Sequence, residues 1–199
     1  MARKIYPPHG KVFERPIRLT REGRKQVGAT KEIKAYVGGF RARGLKGLKL
    51  AQAIIKDVLS FRKVALNSTE AKANWARRSA EEIIKSRTVY LNKGLVMVGC
   101  TDRAIAMAAS LRAAGFRVAF VRADCHTYLK LWQNNKLWIV NTLPTQTYGI
   151  REISEKDKKH ENDRWAANAI GEGPSLAQIG IKGHREFFKF RDRSGKKKH

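Results

Sequence analysis

Three residues of this chain have the types and spacing for nucleophilic catalysis: Cys100, His126 and Asn141. Cys100 lies in Gly99-Cys100-Thr101-Asp102, after the apolar run Leu95-Val96-Met97-Val98 and at the head of a helical pattern. A thiol at a helix start is favoured as thiolate, because unpaired N–H groups and the helix dipole stabilise negative charge there. An imidazole that takes the thiol proton, held in one tautomer by an amide oxygen, completes the set for attack on an acyl carbon. Taken alone, Cys100 would read as a small buried apolar residue, and Cys125 as the residue that starts a strand.

The elements that must position these groups can be read from pattern. A helix is expected from Cys100 through Ala114, with Ile105, Met107, Ala108 and Leu111 apolar and Gly115 as its stop. Strands are expected over Phe116 to Arg122, His126 to about Trp132, and Leu137 to Leu143. Asn134-Asn135 suits a two-residue hairpin turn. In that register Asn141 lies opposite Tyr128, and His126 shares the face of Tyr128, two residues away. Asn141 is then the diagonal neighbour of His126, within reach of a side-chain hydrogen bond.

Taken in order, Gly99-Cys100-Thr101-Asp102, Leu111-Arg112-Ala113-Ala114-Gly115-Phe116-Arg117-Val118, His126, Trp138-Ile139-Val140-Asn141 and Pro144-Thr145 resemble the transglutaminase-like superfamily. The resemblance covers residues 95–145. It implies an α+β fold, with helices packed on an antiparallel sheet in a papain-like, transglutaminase-like core, and catalysis by Cys100, His126 and the residue at 141. The fifteen residues from His126 to Asn141 match the family's His-to-Asp interval. Asn141 stands where the family usually carries Asp, and an amide orients a histidine without adding charge. Thr101 stands where the cross-linking enzymes carry an aromatic, which points away from cross-linking and toward hydrolysis or acyl transfer.

The flanks are dominated by charge. The chain carries 42 Lys and Arg against 17 Asp and Glu, a formal net charge of +25. Such an excess repels itself in a compact state unless a polyanion neutralises it, and RNA phosphates are the natural partner. Residues 1–66 hold seventeen basic and four acidic residues, so the excess is concentrated at the front. Residues 1–44 read as a basic, largely irregular arm, with Tyr6, Phe13, Tyr36 and Phe40 among the cations and room for a short strand at Ile17-Arg18-Leu19. The expected RNA contacts are Arg3, Lys4, Lys11, Arg15, Arg18, Arg21, Arg24, Lys25, Arg41, Arg43 and Lys46 in front, and Lys196, Lys197 and Lys198 at the end.

Residues 45–150 read as a helical region followed by the core. One amphipathic helix, with Leu48, Ala51, Ile55, Val58 and Leu59, is expected to end near Leu66. Asn67 with Glu70 caps a second, running to about Ser86 with Trp75 and Ile83 on one side. Residues 151–199 read as a polar and basic extension. It has a short helix around Asp163 to Ile170, breaks at Gly171 and Gly173-Pro174, and an end rich in lysine and in Phe187, Phe188 and Phe190.

Other classes find little support. No apolar run reaches the roughly 18 residues of a membrane span, and the N-terminus has no apolar signal segment, so a cytoplasmic location is expected. Neither a P-loop nor a G-x-G-x-x-G stands between a strand and a helix, so no cofactor is expected. Cys100, Cys125 and His126 lack the paired spacing of a zinc site, and no metal is expected. Two function classes stand open. One is an RNA-binding protein associated with ribosomal RNA and ribosomal proteins, using the transglutaminase-like core as a scaffold between basic arms. The other is a cysteine-dependent acyl transferase or peptidase. The charge, spread along the chain, favours the first, and the residues leave open an active enzyme or an inactive descendant.

Overall fold

The computed structural model describes residues 19–92, 99–123, 126–142, 149–153, 169–183 and 185. Helix α1 (Arg21–Val27) starts at Thr20 and α2 (Lys31–Ala42) at Thr30, each threonine hydroxyl accepting an N–H three residues on. Ile33, Val37 and Phe40, at i, i+4 and i+7, form the buried stripe of α2. The front arm expected to be largely irregular is therefore helical over most of 21–42. Its apolar stripe is narrow, and the cations and the Gly38-Gly39 pair between its members obscure the period.

Helix α3 (Gly47–Leu59) buries Leu50, Ala51, Ile54, Ile55 and Val58. It stops at Ser60 rather than near Leu66, and residues Arg62–Leu66 form strand β1 instead. β1 pairs in parallel with β2 (Thr88–Asn92). The second expected helix is two. Helix α4 (Ser68–Asn74) has the expected Asn67–Glu70 capping box, but the chain turns extended at Trp75 and left-handed at Ala76. A second capping box, Ser79 with Glu82, then starts α5 (Ala80–Ser86).

The fold is α+β, with a five-stranded antiparallel sheet. Helix α6 (Cys100–Ala113) leads into β3 (Arg117–Ala123), β4 (Thr127–Gln133), β5 (Lys136–Val140), β6 (Ile150–Ile153) and β7 (Ala169–Gly173), in spatial order β6-β5-β4-β3-β7. Asn134 and Asn135 both have positive φ, 51° and 60°, and close the expected two-residue hairpin with Gln133 opposite Lys136. The expected break at Gly171 is not made, since Gly171 lies in β7 and pairs Arg122 of β3, whereas the one at Gly173-Pro174 falls where β7 ends. Of the helix expected around Asp163 to Ile170, Ala169 and Ile170 are in that strand and the rest lies outside the described residues.

Every residue of α6 from Cys100 to Leu111 is buried. The sheet packs on one side of it, and α2, α3 and α5 pack against it as well. Its alanines at 104, 106, 108 and 109 let these neighbours approach closely. Val27 and Ile33 from the front and Leu176, Ile179 and Ile181 from the end join the same core cluster as Ile105 and Leu129. No described helix is long and apolar enough to cross a membrane.

Candidate active site

Cys100 is the first residue of α6, and the residue before it sets the entry. Gly99 has φ +55°, and a Cβ there would lie 3.1 Å from Val89 Cβ, so the chain can turn into α6 against β2 only with glycine or with strain. The thiol is 4% exposed and hydrogen-bonds with His126, which immediately precedes β4. His126 Nε2 lies 3.2 Å from Asn141 Oδ1. An amide oxygen only accepts, so Nε2 carries the proton and Nδ1 is left for the thiol. The Tyr128 ring stacks near His126, with centroids 6.1 Å apart and planes 21° from parallel.

Asn141 is fixed through its backbone. Its N–H donates to the Gly149 carbonyl at 2.7 Å, closing the chain between β5 and β6. Gly149 has φ +61°, and a Cβ there would meet Ile55 Cγ2 at 2.6 Å, so α3 itself keeps this position small. The three expected catalytic groups therefore come together in a continuous polar chain, thiol to imidazole to amide.

Opposing effects act on the thiol. Burial pushes it up, while the His126 hydrogen bond, the charges of Arg122 and His126 and the Thr127 N–H bring it down. The balance lies at about 7, against an ordinary 9.0. Arg122 and Arg103 are both 0% exposed, and Arg103, one turn along α6, also feels the Cys100 charge. Burial pulls the Arg103 guanidinium below its ordinary value. The first turn of α6 is tied down by Asp102, which pairs with the buried Arg78 at 2.8 Å and accepts the Tyr90 N–H at 3.0 Å. Burial, only partly offset by Arg78, pushes the Asp102 carboxyl up.

The buried arginines are the part of the site that composition does not reveal. Arg103 and Arg122 count among the basic residues like any other, yet they lie in the interior. The signal that could have found Arg122 is its strand position, since it falls on the same face as Val118 and Phe120 at period two.

The expected RNA contacts divide by location. Arg21, Arg24, Lys25, Arg41, Arg43 and Lys46 are exposed on and between α1, α2 and α3. Arg24 also donates to the Leu19 carbonyl, Arg41 to that of Ala114, and Arg43 lies over the Phe40 ring. Arg3, Lys4, Lys11, Arg15, Arg18, Lys196, Lys197 and Lys198 lie outside the described residues, as does Cys125. Among the described residues no three His, Cys, Asp or Glu side chains gather as a metal site would need. The chain matches no profile of a known protein family, and no curated protein matches it.

Proposed function

We propose that this chain is a cysteine-dependent acyl transferase or hydrolase built on a papain-like, transglutaminase-like core. One observation carries the reading: the buried Cys100 at the start of α6 lies where His126 acts on its thiol, and His126 Nε2 lies 3.2 Å from Asn141 Oδ1. In this reading His126 holds the thiol proton and the Cys100 thiolate attacks a carbonyl carbon, forming a C–S bond. The imidazolium then gives its proton to the departing amine or alcohol. His126 next takes a proton from water or an amine, which attacks the thioester and releases the thiol. Asn141 keeps Nε2 protonated, so that Nδ1 stays the working nitrogen.

The test is acyl-enzyme capture. With p-nitrophenyl acetate, rapid quenching and peptide mass analysis, the Cys100 peptide is expected to carry one acetyl group, and His126→Ala to lose it. An unlabelled Cys100, or equal labelling without His126, contradicts the reading.

A second reading, association with RNA and in particular with ribosomes, is favoured by the exposure of Arg21, Arg24, Lys25, Arg41, Arg43 and Lys46 on one stretch of chain. Phosphate binding predicts an affinity that falls steeply with salt. A salt-independent affinity for RNA, or no sedimentation with ribosomes at low salt, contradicts it.

A further inference from the structure

Each of the three catalytic candidates is followed by a threonine: Thr101 after Cys100, Thr127 after His126 and Thr142 after Asn141. All three threonines are buried, at 3%, 0% and 0% exposure. They converge on Thr127. The Thr101 and Thr127 hydroxyls are 3.3 Å apart, and the Thr142 hydroxyl donates to the Thr127 carbonyl. Arg122, register partner of Thr127 across β3 and β4, donates from Nη1 to the Thr127 hydroxyl at 2.6 Å. Arg103 reaches toward the Thr142 carbonyl at 3.5 Å. Thr127 also turns its own N–H to the Cys100 sulfur.

The start of α6, the start of β4 and the chain after β5 have no covalent link near the site. This polar cluster adds side-chain contacts between them, beyond the β4–β5 pairing and the packing of α6 on the sheet, one residue away from each reacting or orienting group. The β3–β7 register shifts between Arg122 and Ala123, an irregularity at the residue that grips Thr127. Bulges commonly re-aim side chains beside active sites. Burying two guanidinium groups costs several kcal/mol each unless they are well bonded, which argues for a task beyond filling space.

We propose that Thr101, Thr127 and Thr142, gripped by Arg122, act as positioning residues that set the alignment of Cys100, His126 and Asn141. The inference rests on the nucleophile reading of Cys100. Thr127 is the hub, because its hydroxyl serves Arg122 and Thr101, its carbonyl Thr142 and its N–H the sulfur. The charged groups around the thiol are His126 beside β4, Arg122 from β3 and Arg103 from α6, while Asp102 is occupied by Arg78 and the Tyr90 N–H. Loosening Thr127 releases Arg122 from its place near the sulfur and lets the helix start drift from the histidine.

The experiment is iodoacetamide alkylation of Cys100 against pH in the full chain, with thermal melts run alongside. Thr127→Val keeps shape and removes the hydroxyl. It is expected to raise the alkylation midpoint by about one pH unit, slowing the reaction roughly tenfold well below the midpoint. Thr127→Ser is expected to restore the parent midpoint. A folded Thr127→Val with an unmoved midpoint overturns the proposal, since a merely structural threonine would change the melt alone. Should Thr127→Val not fold, Thr101→Val decides by the same readout: an upward midpoint supports the latch and an unchanged one overturns it. A parent midpoint that His126→Ala does not move would end the nucleophile reading itself, an outcome seen without any threonine variant.

Discussion

The front helices and the start of α6 use cations in opposite ways. On and between α1, α2 and α3, Arg21, Lys25, Arg43 and Lys46 stand in solvent. Around Cys100, Arg103 and Arg122 are fully buried, and Arg78 is nearly so, at 8% exposure. A net charge of +25 counts both kinds alike. Only the first kind can meet a polyanion, while the second shapes the potential and the geometry at a thiol. The same residue type thus occupies two settings, one open to solvent and one in the core beside a thiol, and burial decides which applies.

The largest effect expected from breaking this contrast is on stability. Arg78→Met leaves the Asp102 carboxylate buried without its cation, a loss of about 3–5 kcal/mol. Denaturant unfolding should show that loss in Arg78→Met and leave the midpoint of Lys25→Met near the parent's. Equal midpoints would erase the distinction between buried and displayed cations.

Next in size is an effect on chemistry with little on fold. Asn141→Ala frees the imidazole to turn, and acylation of Cys100 is expected to slow on the order of a hundredfold. Quenched-flow labelling at constant pH measures it, and an unchanged rate would remove the orienting role of Asn141. Replacing Arg21, Arg24 and Lys25 together by Gln tests the other side. The slope of log affinity for single-stranded RNA against log salt should flatten by about 0.7 for each phosphate that the variant no longer neutralises. Alkylation of Cys100 should not change in that variant. A coupled change would mean that the two uses of charge are not separate.

The smallest effect is a gain. Asn141→Asp places a carboxylate behind the imidazole and favours the thiolate–imidazolium pair, lowering the alkylation midpoint by at most about one pH unit. A midpoint that rises instead would mean that the carboxylate had disturbed the hydrogen bond to His126.

Much of the site is legible in the sequence because its determinants are local. Asn134-Asn135 sets the hairpin, the hairpin sets the register, and the register brings Asn141 to His126. The Gly99-Cys100 entry to α6 is likewise a short-range matter of backbone space. Elements whose signal is weak or shared are not legible in this way. Arg62–Leu66 continues the helical pattern of α3, and only its pairing with β2 makes it a strand. Ile33, Val37 and Phe40 are too few to stand out among the cations of the front segment. β7 carries three small or flexible residues in five, and becomes a strand by pairing with the open edge of β3. The buried arginines are illegible for a deeper reason. Their partners, such as Asp102 for Arg78 and Thr127 for Arg122, come from separate elements, so the local pattern does not name them, and only Arg122, in period two with Val118 and Phe120, carries a local sign that it turns inward.

The central claim is that Cys100 is a thiol activated by His126. Its most direct measurement is the pH dependence of Cys100 alkylation in the parent and in His126→Ala. A depressed thiol reacts increasingly as pH rises through its own midpoint, so the parent curve should turn near 7 and the His126→Ala curve should move up toward the ordinary thiol value of 9.0. Two curves that coincide at the ordinary range would contradict the account.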